Sequence, residues 1–515
     1  MARVLIVRPP KYLWPYINEQ DNYLLPQAIV YLGAALREAG HEAHLLDCLP
    51  SRLGWQSLER TIRELRPQIV CAGESETLYQ HESGRVFALA KRIDPAILTV
   101  AGGVHFSHAA AHALANYPLD AIVRGEGELT IAALADAWDG DRDLTKVPGL
   151  ILRGADGGPV HTAPRPLIED LDTLPFPAYD LLPMHRYGTA RYLFSPGGVT
   201  MHHSRGCVSN CTFCACWLQF AEENGNTSNV PRPRWRTRSV EPVVDEMEVL
   251  HRRYGKSCVV FVDDTWNVDP RWEDRFADEL LRRRLELNWF AFMRADFLHR
   301  DEQSGLFAKL LRAGLSHICV GMERADDDEL NAMEKHNVQI ARSTELIRRM
   351  RKNYPQLFLQ TTFIVGLRHE TQASLDRLLN YVESIDPDYP AFHPLTPVPG
   401  TAMYEQAKRE GWLEITDFAR YDWMTPVMRT ETMSRAELEM AIWRMNNKYM
   451  RPLRVLRGLL TRHTYRRRMY VWWLKVSLSI ALDYLLDRVL PSRSQRRKAQ
   501  LSDYVGMIKP SWYDQ

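Results

Sequence analysis

The sequence has no uninterrupted apolar run of about 18 residues, the length that a membrane-spanning helix needs. It has little net charge, +1 from 65 basic and 64 acidic side chains, so overall charge gives no reason to expect a nucleic-acid partner. It has only 8 cysteines in 515 residues and no apolar leader after Met1, so we expect neither a disulfide framework nor secretion. We therefore expect a protein of the reducing cytoplasm, with at most a peripheral contact at the inner face of the membrane.

Three of the cysteines lie within one short stretch, at Cys207, Cys211 and Cys214. Thiolates at this spacing can hold three corners of a cubane iron–sulfur cluster and leave the fourth iron open. A structural zinc ion would need a fourth nitrogen or sulfur ligand, and no second cysteine pair follows. Cys216, or a histidine just upstream, could provide that ligand, so zinc stays as the alternative. The other four cysteines, mostly in apolar runs, are expected to be buried: Cys48, Cys71, Cys258 and Cys319.

The spacing Cys-x3-Cys-x2-Cys, with Phe213 directly before the last cysteine, resembles that of the radical S-adenosylmethionine (SAM) enzymes. The resemblance implies a [4Fe-4S] cluster on Cys207, Cys211 and Cys214, with SAM as the ligand of the open iron. It also implies reductive cleavage of SAM to a 5′-deoxyadenosyl radical. Such cleavage needs an electron donor, for example a flavodoxin or a ferredoxin.

Residues 1–138 alternate short apolar runs with helical patterns. The apolar runs are 4–7, 43–47, 69–72, 98–100 and 121–123. Between the first two, Pro26 and Gly40 are the start and stop signals of a helix. This alternation predicts an α/β fold with a doubly wound, Rossmann-like parallel sheet. Ligands of such sheets bind beyond the carboxyl ends of the strands.

Two of the predicted strands end in glycine-rich turns. Gly102-Gly103-Val104-His105 follows the fourth strand, and Gly125-Glu126-Gly127-Glu128 lies just after the fifth. Glycine lets a backbone approach a bulky ligand, although it is also ordinary turn chemistry. Ahead of the cysteine motif, these turns resemble the cobalamin-binding domain of one class of radical SAM enzymes. The resemblance implies a corrinoid lying on both turns and on the loop after the third strand, with Glu74, Ser75 and Thr77.

The motif Asp-x-His-x2-Gly, which supplies an axial histidine in other cobalamin proteins, is missing. After its second strand the chain has Asp47-Cys48-Leu49-Pro50-Ser51 instead. We therefore predict a cobalt without a histidine ligand from this loop. For His105 we predict a role in ordering the backbone or lining a polar pocket.

Residues 139–196 form a predicted connector, with a β-hairpin in 149–160 and a proline-spaced linker at 174–177. In residues 197–400 the strand–helix alternation resumes six times. The six strands begin near Val199, Val259, Asn288, His317, Leu357 and Ala391. Six units are too few for a closed eightfold barrel. We therefore predict a partial (β/α)6 barrel, which the radical SAM resemblance also implies.

Polar residues stand where these strands are predicted to end, the edge at which parallel barrels carry out their chemistry. A zwitterion needs both signs of charge, and a purine needs an apolar slot. The charged residues at this edge could alternatively be helix caps or ion pairs. The resemblance implies that Phe213 belongs to the SAM site. It also implies the following SAM contacts: Asp263 and Asp264 with the amino group, Arg294 and Glu323 with the carboxylate and ribose, and the backbone at Val365 and Gly366 with the adenine.

Residues 401–515 are predicted to be helical. The stretch 421–428 and the helical pattern 434–454 resemble the C-terminal domain of the anaerobic magnesium-protoporphyrin IX monomethyl ester cyclases, the BchE-like group. From Arg466 onward, basic and apolar residues alternate around Trp472 and Trp473. This helix would either pack on the protein or lie in an anionic membrane interface.

Together the motifs predict an enzyme that abstracts a hydrogen from an unactivated carbon of a small-molecule substrate, with a [4Fe-4S] cluster, SAM and cobalamin as cofactors. Methylation through methylcobalamin is the reaction that we favour. BchE-like oxidative cyclisation of a tetrapyrrole is the alternative, and a non-catalytic corrinoid sensor or carrier is a third. The 14 Trp and 21 Tyr suit a large, flat or lipid-like substrate and a packed core equally, so the substrate stays open.

Overall fold

The computed structural model describes residues 1–10, 24–51, 53–73, 77–188, 197–222 and 231–490. These residues fall into two compact units, 1–188 with 475–490, and 197–474. Each unit contains its own mainly parallel sheet.

Five parallel strands form the body of the first sheet: β1 (Arg3–Arg8), β2 (Glu42–Asp47), β3 (Ile69–Gly73), β4 (Leu98–Gly102) and β5 (Ala121–Val123). Their order is β2-β1-β3-β4-β5. This is a doubly wound order with its switch point between β1 and β3. The strands coincide with the five apolar runs of the sequence, because strands covered on both faces need no polar side.

Helices lie on this sheet in two groups, with α1 against α7 and α3 against α4. Phe87 and Phe106 are fully buried in the core between helices and sheet. The doubly wound α/β fold predicted for this part of the chain is confirmed. The helices in the described residues are α1 (Gln27–Glu38), α2 (Cys48–Ser51), α3 (Trp55–Leu65), α4 (Gln80–Ile93), α5 (Val104–His108), α6 (Ala110–Asn116) and α7 (Glu128–Asp139).

The hairpin that we predicted within a connector belongs to the first sheet instead. It consists of β6 (Leu150–Arg153) and β7 (Pro159–His161), and β6 pairs antiparallel with β5. Ile151 is fully buried in the same core as the central strands. Without β6, β5 would present an open edge of unpaired backbone groups. The first sheet therefore continues past residue 138, the boundary that the sequence suggested.

Six strands form the second sheet: β8 (Gly198–Met201), β11 (Cys258–Phe261), β12 (Asn288–Met293), β13 (Leu315–Glu323), β14 (Phe358–Val365) and β15 (Tyr389–Pro394). All neighbouring pairs are parallel and follow one another in chain order. Sequential parallel strands with covering helices form the partial barrel that we predicted. A short antiparallel ladder, β9 (Ser204–Gly206) with β10 (Trp235–Thr237), lies beside the entry to the cysteine loop.

Local capping explains where the helices of this unit begin. Asp269 accepts a hydrogen bond from the Arg271 N–H at the start of α10, and Thr371 forms a capping box with Ser374 at the start of α15. The helices are α8 (Cys216–Gln219), α9 (Val240–Arg252), α10 (Pro270–Arg283), α11 (Ala295–Gln303), α12 (Leu306–Arg312), α13 (Asp327–Ala332), α14 (Ile340–Asn353), α15 (Gln372–Ile385) and α16 (Ala402–Arg409).

The single helical pattern that we predicted from 434 to 454 is two helices. α17 (Arg435–Tyr449) follows a capping box at Ser434, and α18 (Pro452–Leu459) begins at its proline. Pro452 cannot continue a helix because it lacks an N–H and its ring clashes with the preceding turn, but it is well suited to start one. α19 (Thr464–Val489) follows. No helix in the described ranges is both long and apolar enough to cross a membrane.

Candidate functional site

The carboxyl ends of the parallel strands in the second unit carry the charged residues that the sequence singled out. Asp263 and Asp264 follow β11, Arg294 follows β12, Glu323 ends β13 and Val365 ends β14. Because all these strands are parallel, their carboxyl ends share one edge. The cysteine loop leaves the same edge after β8 and β9.

Protein contacts define the path of the cysteine loop. Gly206 leads into it with a φ of +86°, and a Cβ at this position would lie 2.0 Å from the Arg234 carbonyl oxygen, so only glycine fits. Within the loop, the Thr212 N–H donates to the Met333 carbonyl at 3.1 Å. Trp217 Nε1 donates to the Cys211 carbonyl at 3.2 Å.

The thiols of this loop fit the demands of an iron–sulfur cluster. None of the eight cysteines, all of which lie among the described residues, forms a disulfide. Burial raises the pKa of the Cys207 thiol, and it raises the pKa of Cys211 to about 12, so both need a bound cation to ionise at neutral pH. Arg294 and Lys335 add positive charge close to the Cys211 sulfur, which favours a thiolate.

Cys216, the alternative zinc ligand, is exposed and donates a hydrogen bond to Cys214, which lowers the pKa of Cys214. Among the described residues, no three His, Cys, Asp or Glu side chains converge as they would around a single metal ion. In a cubane, each cysteine binds a different iron, so the thiols need not meet at one point.

Phe213 connects the loop to a small apolar cluster. Its partly buried ring packs with Met333, Leu395 and Met428. Burying an aromatic ring of this size stabilises the backbone that carries it. The residue before the third cysteine therefore anchors the loop.

Asp263 organises the start of the cysteine loop. Its Oδ1 accepts hydrogen bonds from the N–H groups of His203 at 3.0 Å and Ser204 at 2.6 Å, and from the Ser204 hydroxyl at 2.6 Å. His203 Nδ1 lies 2.7 Å from the same oxygen. The carboxylate is thus a backbone anchor in the structure, and its predicted contact with SAM stays a prediction.

Asp264 retains hydrogen-bonding capacity. Its Oδ2 is buried and has no hydrogen-bond partner among the described residues. Burial, and then the charge of Asp263, raise the pKa of Asp264 to about 7. Its carboxylate lies close enough to Cys207 and Cys214 to influence both thiols. Asp263 Oδ2 is likewise buried without a hydrogen-bond partner among the described residues, so each of the two acidic residues keeps an oxygen that could accept a hydrogen bond from a ligand ammonium.

Arg294 is held by the protein at the position where the sequence predicted a SAM contact. It forms two hydrogen bonds with Asp296, at 2.9 and 3.0 Å, and donates to the Ser209 hydroxyl in the cysteine loop. Although burial opposes it, the Asp296 pair raises the pKa of Arg294. Sequence reasoning missed Ser209, although a hydroxyl residue between two motif cysteines could have suggested a role in the site.

Glu323 is also paired. Its Oε1 lies 2.7 Å from Lys335 Nζ, which donates to the Gly321 carbonyl as well. Glu323 has a φ of +60° where the register of β13 and β14 shifts, a bulge that turns its side chain out of the ladder. No local sequence pattern predicts the contact of Lys335 with Glu323, because Lys335 follows Glu323 by 12 residues, on the far side of α13.

A buried ion pair, which sequence reasoning also missed, joins the residue after β13 to the turn after β14. Arg324, only 2% exposed, binds both carboxylate oxygens of Glu370 at 2.8 and 3.1 Å. Glu370 in turn accepts the Gly366 N–H at 3.2 Å, and the Val365 carbonyl accepts the Leu395 N–H at 2.7 Å. The backbone atoms expected to line an adenine are therefore bonded within the protein, and that role stays a prediction.

In the first unit, the glycine-rich turns meet at one edge because β3, β4 and β5 are neighbours. Gly73 lies directly beside Gly102, since a Cβ on Gly73 would be 2.4 Å from the Gly102 carbonyl oxygen. Gly103 has a φ of +95° and precedes α5, whose first residue is Val104. This edge carries little side-chain volume, which fits a large, flat ring that must approach the backbone.

The turn after β5 continues this edge. Gly125 has a φ of +73° with open space where a side chain would begin, and Gly127 precedes α7. Glu126 accepts the Ile168 N–H at 2.7 Å, so it anchors a distant segment of the chain. Glu128 is buried at the first turn of α7.

His105 is buried behind this edge. Its Nε2 lies 3.0 Å from Gln80 Oε1, and burial lowers its pKa to about 3, so the ring is neutral at physiological pH. Its role in ordering the backbone or lining a polar pocket stays a prediction. Thr77 is buried in the turn before α4, whereas Glu74 and Ser75 lie outside the described residues. The loop after β2 contains α2 and no histidine.

The comparisons with known proteins match both halves of this arrangement. Residues 14–135 match the B12 binding domain, and residues 201–382 match the Radical SAM superfamily. A corrinoid sensor alone would not carry the second of these domains, so the non-catalytic alternative is wrong.

Relatives that align over most of the chain support the two domain matches. The chain is 29% identical over 443 residues to the uncharacterized methyltransferase PH0819 of Pyrococcus horikoshii, covering 85% of this chain and 91% of the relative. It is 28% identical over 512 residues to the anaerobic magnesium-protoporphyrin IX monomethyl ester cyclase of Rubrivivax gelatinosus, covering 95% and 87%. The fold is similar to that of the radical SAM methyltransferase TsrM from Kitasatospora setae with cobalamin and [4Fe-4S] cluster bound, with a TM-score of 0.67, 17% identity, and coverage of 94% and 99%.

The two matched domains account for the three predicted cofactors, cobalamin in the first and a [4Fe-4S] cluster with SAM in the second. The chain is thus an enzyme with a B12-binding domain and a radical SAM domain, homologous to the anaerobic magnesium-protoporphyrin IX monomethyl ester cyclases and to B12-dependent radical SAM methyltransferases.

Proposed function

We propose that this enzyme methylates an unactivated carbon of a small-molecule substrate. The observation that carries the proposal is the presence, in one chain, of a three-thiol loop at a charged strand edge and of a glycine-lined strand edge suited to a corrinoid. When bound, the cluster with SAM supplies the radical that removes hydrogen, and cobalamin supplies the methyl group. The chain's own residues bind, orient and shield these groups.

In the second unit, Cys207, Cys211 and Cys214 would hold the cluster. Asp264 would accept a hydrogen bond from the SAM ammonium, because its Oδ2 is buried without a partner among the described residues. Arg294 would face the SAM carboxylate while Asp296 keeps its guanidinium in a fixed plane. Glu323, held by Lys335, would reach the ribose hydroxyls.

In the first unit, Gly102, Gly103 and Gly125 would let the corrin ring approach the ends of β4 and β5. Their missing side chains leave the space that a macrocycle needs. His105 would contribute a neutral ring bonded to Gln80 rather than a ligand to cobalt.

Oxidative cyclisation is the second candidate reaction. The observation in its favour is the length of the alignment with the cyclase, which covers 95% of this chain against 85% for the methyltransferase relative. The two reactions give products of different mass. Methylation adds one CH2, whereas cyclisation removes hydrogen with or without a gain of oxygen.

We further propose that the enzyme works in the cytoplasm and takes electrons from a flavodoxin or a ferredoxin. Eight cysteines, all among the described residues and none in a disulfide, suit a reducing compartment. The proposal includes a peripheral contact with the inner membrane face through α19. Along that helix, Leu478, Leu482 and Leu485 are each more than half exposed, and a membrane interface would cover such side chains.

The test is anaerobic reconstitution with iron, sulfide and hydroxocobalamin, then SAM with dithionite or titanium citrate, and chromatographic detection of 5′-deoxyadenosine. We expect 5′-deoxyadenosine from the wild type and none from Cys211→Ala. Mass spectrometry of candidate substrates then separates the two reactions. A preparation with about four irons per chain and bound cobalamin that never releases 5′-deoxyadenosine, with or without substrate, would contradict the proposal.

A further inference from the structure

The short helix α18 turns an apolar face outward. Leu453, Leu456 and Leu460, at its start, middle and end, are 76%, 51% and 73% exposed. The opposite face is buried, at Val455 and at Gly458, where a Cβ would lie 2.3 Å from the Tyr470 ring. A surface helix normally exposes its polar side and buries its apolar side. The outward leucines of α18 therefore need a partner that covers apolar groups.

The sequence around this helix is strongly basic. From Met440 to Leu482 there is no Asp or Glu at all. The same segment holds ten Arg and Lys residues: Arg444, Lys448, Arg451, Arg454, Arg457, Arg462, Arg466, Arg467, Arg468 and Lys475. Such a concentration of one sign attracts an anionic surface, and the near-zero net charge of the whole chain conceals it.

Arginines also line a cavity of about 180 Å³ beside the leucines. The cavity wall contains Asp386, Leu453, Gly458 and Tyr470 together with five arginines, Arg351, Arg451, Arg454, Arg457 and Arg466. Asp386 and the neighbouring Asp388 pair with three of them, Arg351, Arg454 and Arg466, and Glu383 pairs with Arg451 at 3.6 Å. Arg457 forms no ion pair with any described residue, so positive charge exceeds negative charge at the cavity.

Two buried donors point to an anionic ligand. Nε of Arg351 and Nε of Arg454 have no hydrogen-bond partner among the described residues. A buried guanidinium N–H without an acceptor is costly. A phosphate group matches the planar, multidentate geometry of arginine and would supply acceptors to such donors.

We propose that α18 docks the enzyme on anionic phospholipid, with the leucine ridge in the headgroup–acyl boundary and the arginine cavity on a headgroup phosphate. The inference rests on the peripheral contact proposed above and moves its centre from α19 to α18. A nucleic acid would use the arginines but would leave the three leucines in water. A free phosphate would use the cavity alone.

The experiment is vesicle co-sedimentation of the full-length protein at physiological salt, with phosphatidylglycerol–phosphatidylcholine vesicles compared with pure phosphatidylcholine. We expect binding to the anionic vesicles and at least about tenfold weaker binding to the neutral ones. Leu453→Gln/Leu456→Gln/Leu460→Gln and Arg451→Ala/Arg457→Ala should each weaken anionic-vesicle binding by about tenfold. The matched controls, exposed Leu129→Gln and Arg63→Ala in the first unit, should leave it unchanged.

The outcomes separate this inference from the function proposed above. If Leu478→Gln/Leu482→Gln removes vesicle binding and the α18 variants do not, the α18 site is wrong and the contact through α19 stands. If no vesicle binds, both membrane contacts are wrong, and stabilisation by inorganic phosphate alone would identify a soluble anion site. Binding to duplex RNA in preference to vesicles would also overturn the proposal. Release of 5′-deoxyadenosine is measured separately and does not depend on any of these results.

Discussion

The carboxyl ends of the strands, where we propose that the ligands bind, are built in opposite ways in the two units. In the first, glycines clear the ends of β3, β4 and β5, and Gly125 leaves open space where a side chain would begin. In the second, the strand ends are filled with paired charges, Arg294 with Asp296 and Glu323 with Lys335. One edge is defined by missing side chains and the other by side chains that are held in place.

We attribute this difference to the ligands proposed for the two edges. A corrin ring is large and rigid, so the protein must above all leave room and let its backbone come close. SAM is a small zwitterion, and charged groups act on it most effectively when they are already oriented. Buried charge pairs provide that orientation but contribute little net stability. The second unit should therefore be the more sensitive to single charge changes.

The largest effect is expected from Cys211→Ala. Removal of one of three cluster ligands should bring 5′-deoxyadenosine formation to background and lower the iron content, while cobalamin still binds to the first unit. Iron analysis, the EPR signal of the reduced cluster and the visible spectrum of cobalamin measure the three effects. Cys216→Ala is the control and should keep its iron. Equal loss of iron from both variants would favour a four-ligand zinc-type site.

Glu370→Gln should cost about 1–3 kcal/mol of unfolding free energy, because it removes one of the two carboxylates that pair with the buried Arg324, while Glu329 still binds the guanidinium. Urea unfolding measures the change. Glu241→Gln, which breaks the exposed pair with Arg275, should cost no more than about 1 kcal/mol. Similar losses in both variants would show that the charged edge of the second unit is not pre-organised by burial.

Each unit also buries a histidine whose pKa burial lowers to about 3, His105 in the first and His317 in the second. Between pH 6.5 and pH 3 the unfolded chain binds a proton that the folded chain does not, so stability is full above pH 6.5 and falls on acidification. From pH 7 to pH 5 each histidine should account for a loss on the order of 2 kcal/mol. Urea unfolding at several pH values measures this loss, and His105→Gln and His317→Gln should each reduce the pH-dependent loss of unfolding free energy by that amount. Unchanged pH dependence in a variant would mean that its histidine is charged in the folded unit.

The smallest effect is expected from Gly125→Ala. Its positive φ makes any side chain unfavourable by about 1 kcal/mol, and the new methyl group would enter the edge proposed for the corrin. Cobalamin affinity, measured by equilibrium dialysis, should fall about tenfold. Gly157→Ala in the β6–β7 turn has a similar φ of +81° and equally open surroundings, so it is a matched control for backbone strain. If both variants lower the affinity equally, the turn after β5 is not part of the cobalamin site.

Much of the fold could be predicted from the sequence because its signals are local. Apolar runs such as 4–7 and 258–261 are strands in the structure, since both faces of a parallel strand are buried. Pro452 also indicates a break between two helices in the sequence. The helical periodicity on either side of it led instead to the prediction of a single helix. The place of the β6–β7 hairpin was not readable, because which sheet edge a hairpin joins depends on which edge is left open.

The sequence by itself determined the order of strands and helices, the spacing of Cys207, Cys211 and Cys214, and the glycine turns at Gly102 and Gly125. Only the tertiary structure decided that Asp263 anchors the cysteine loop through Oδ1, and that the Oδ2 atoms of Asp263 and Asp264 have no hydrogen-bond partner among the described residues. It also decided which residue each charged side chain contacts, as with Arg294, which donates a hydrogen bond to the hydroxyl of Ser209, 85 residues away in the sequence. Propensity and spacing act between neighbours in the chain, whereas burial and hydrogen bonding act between neighbours in space.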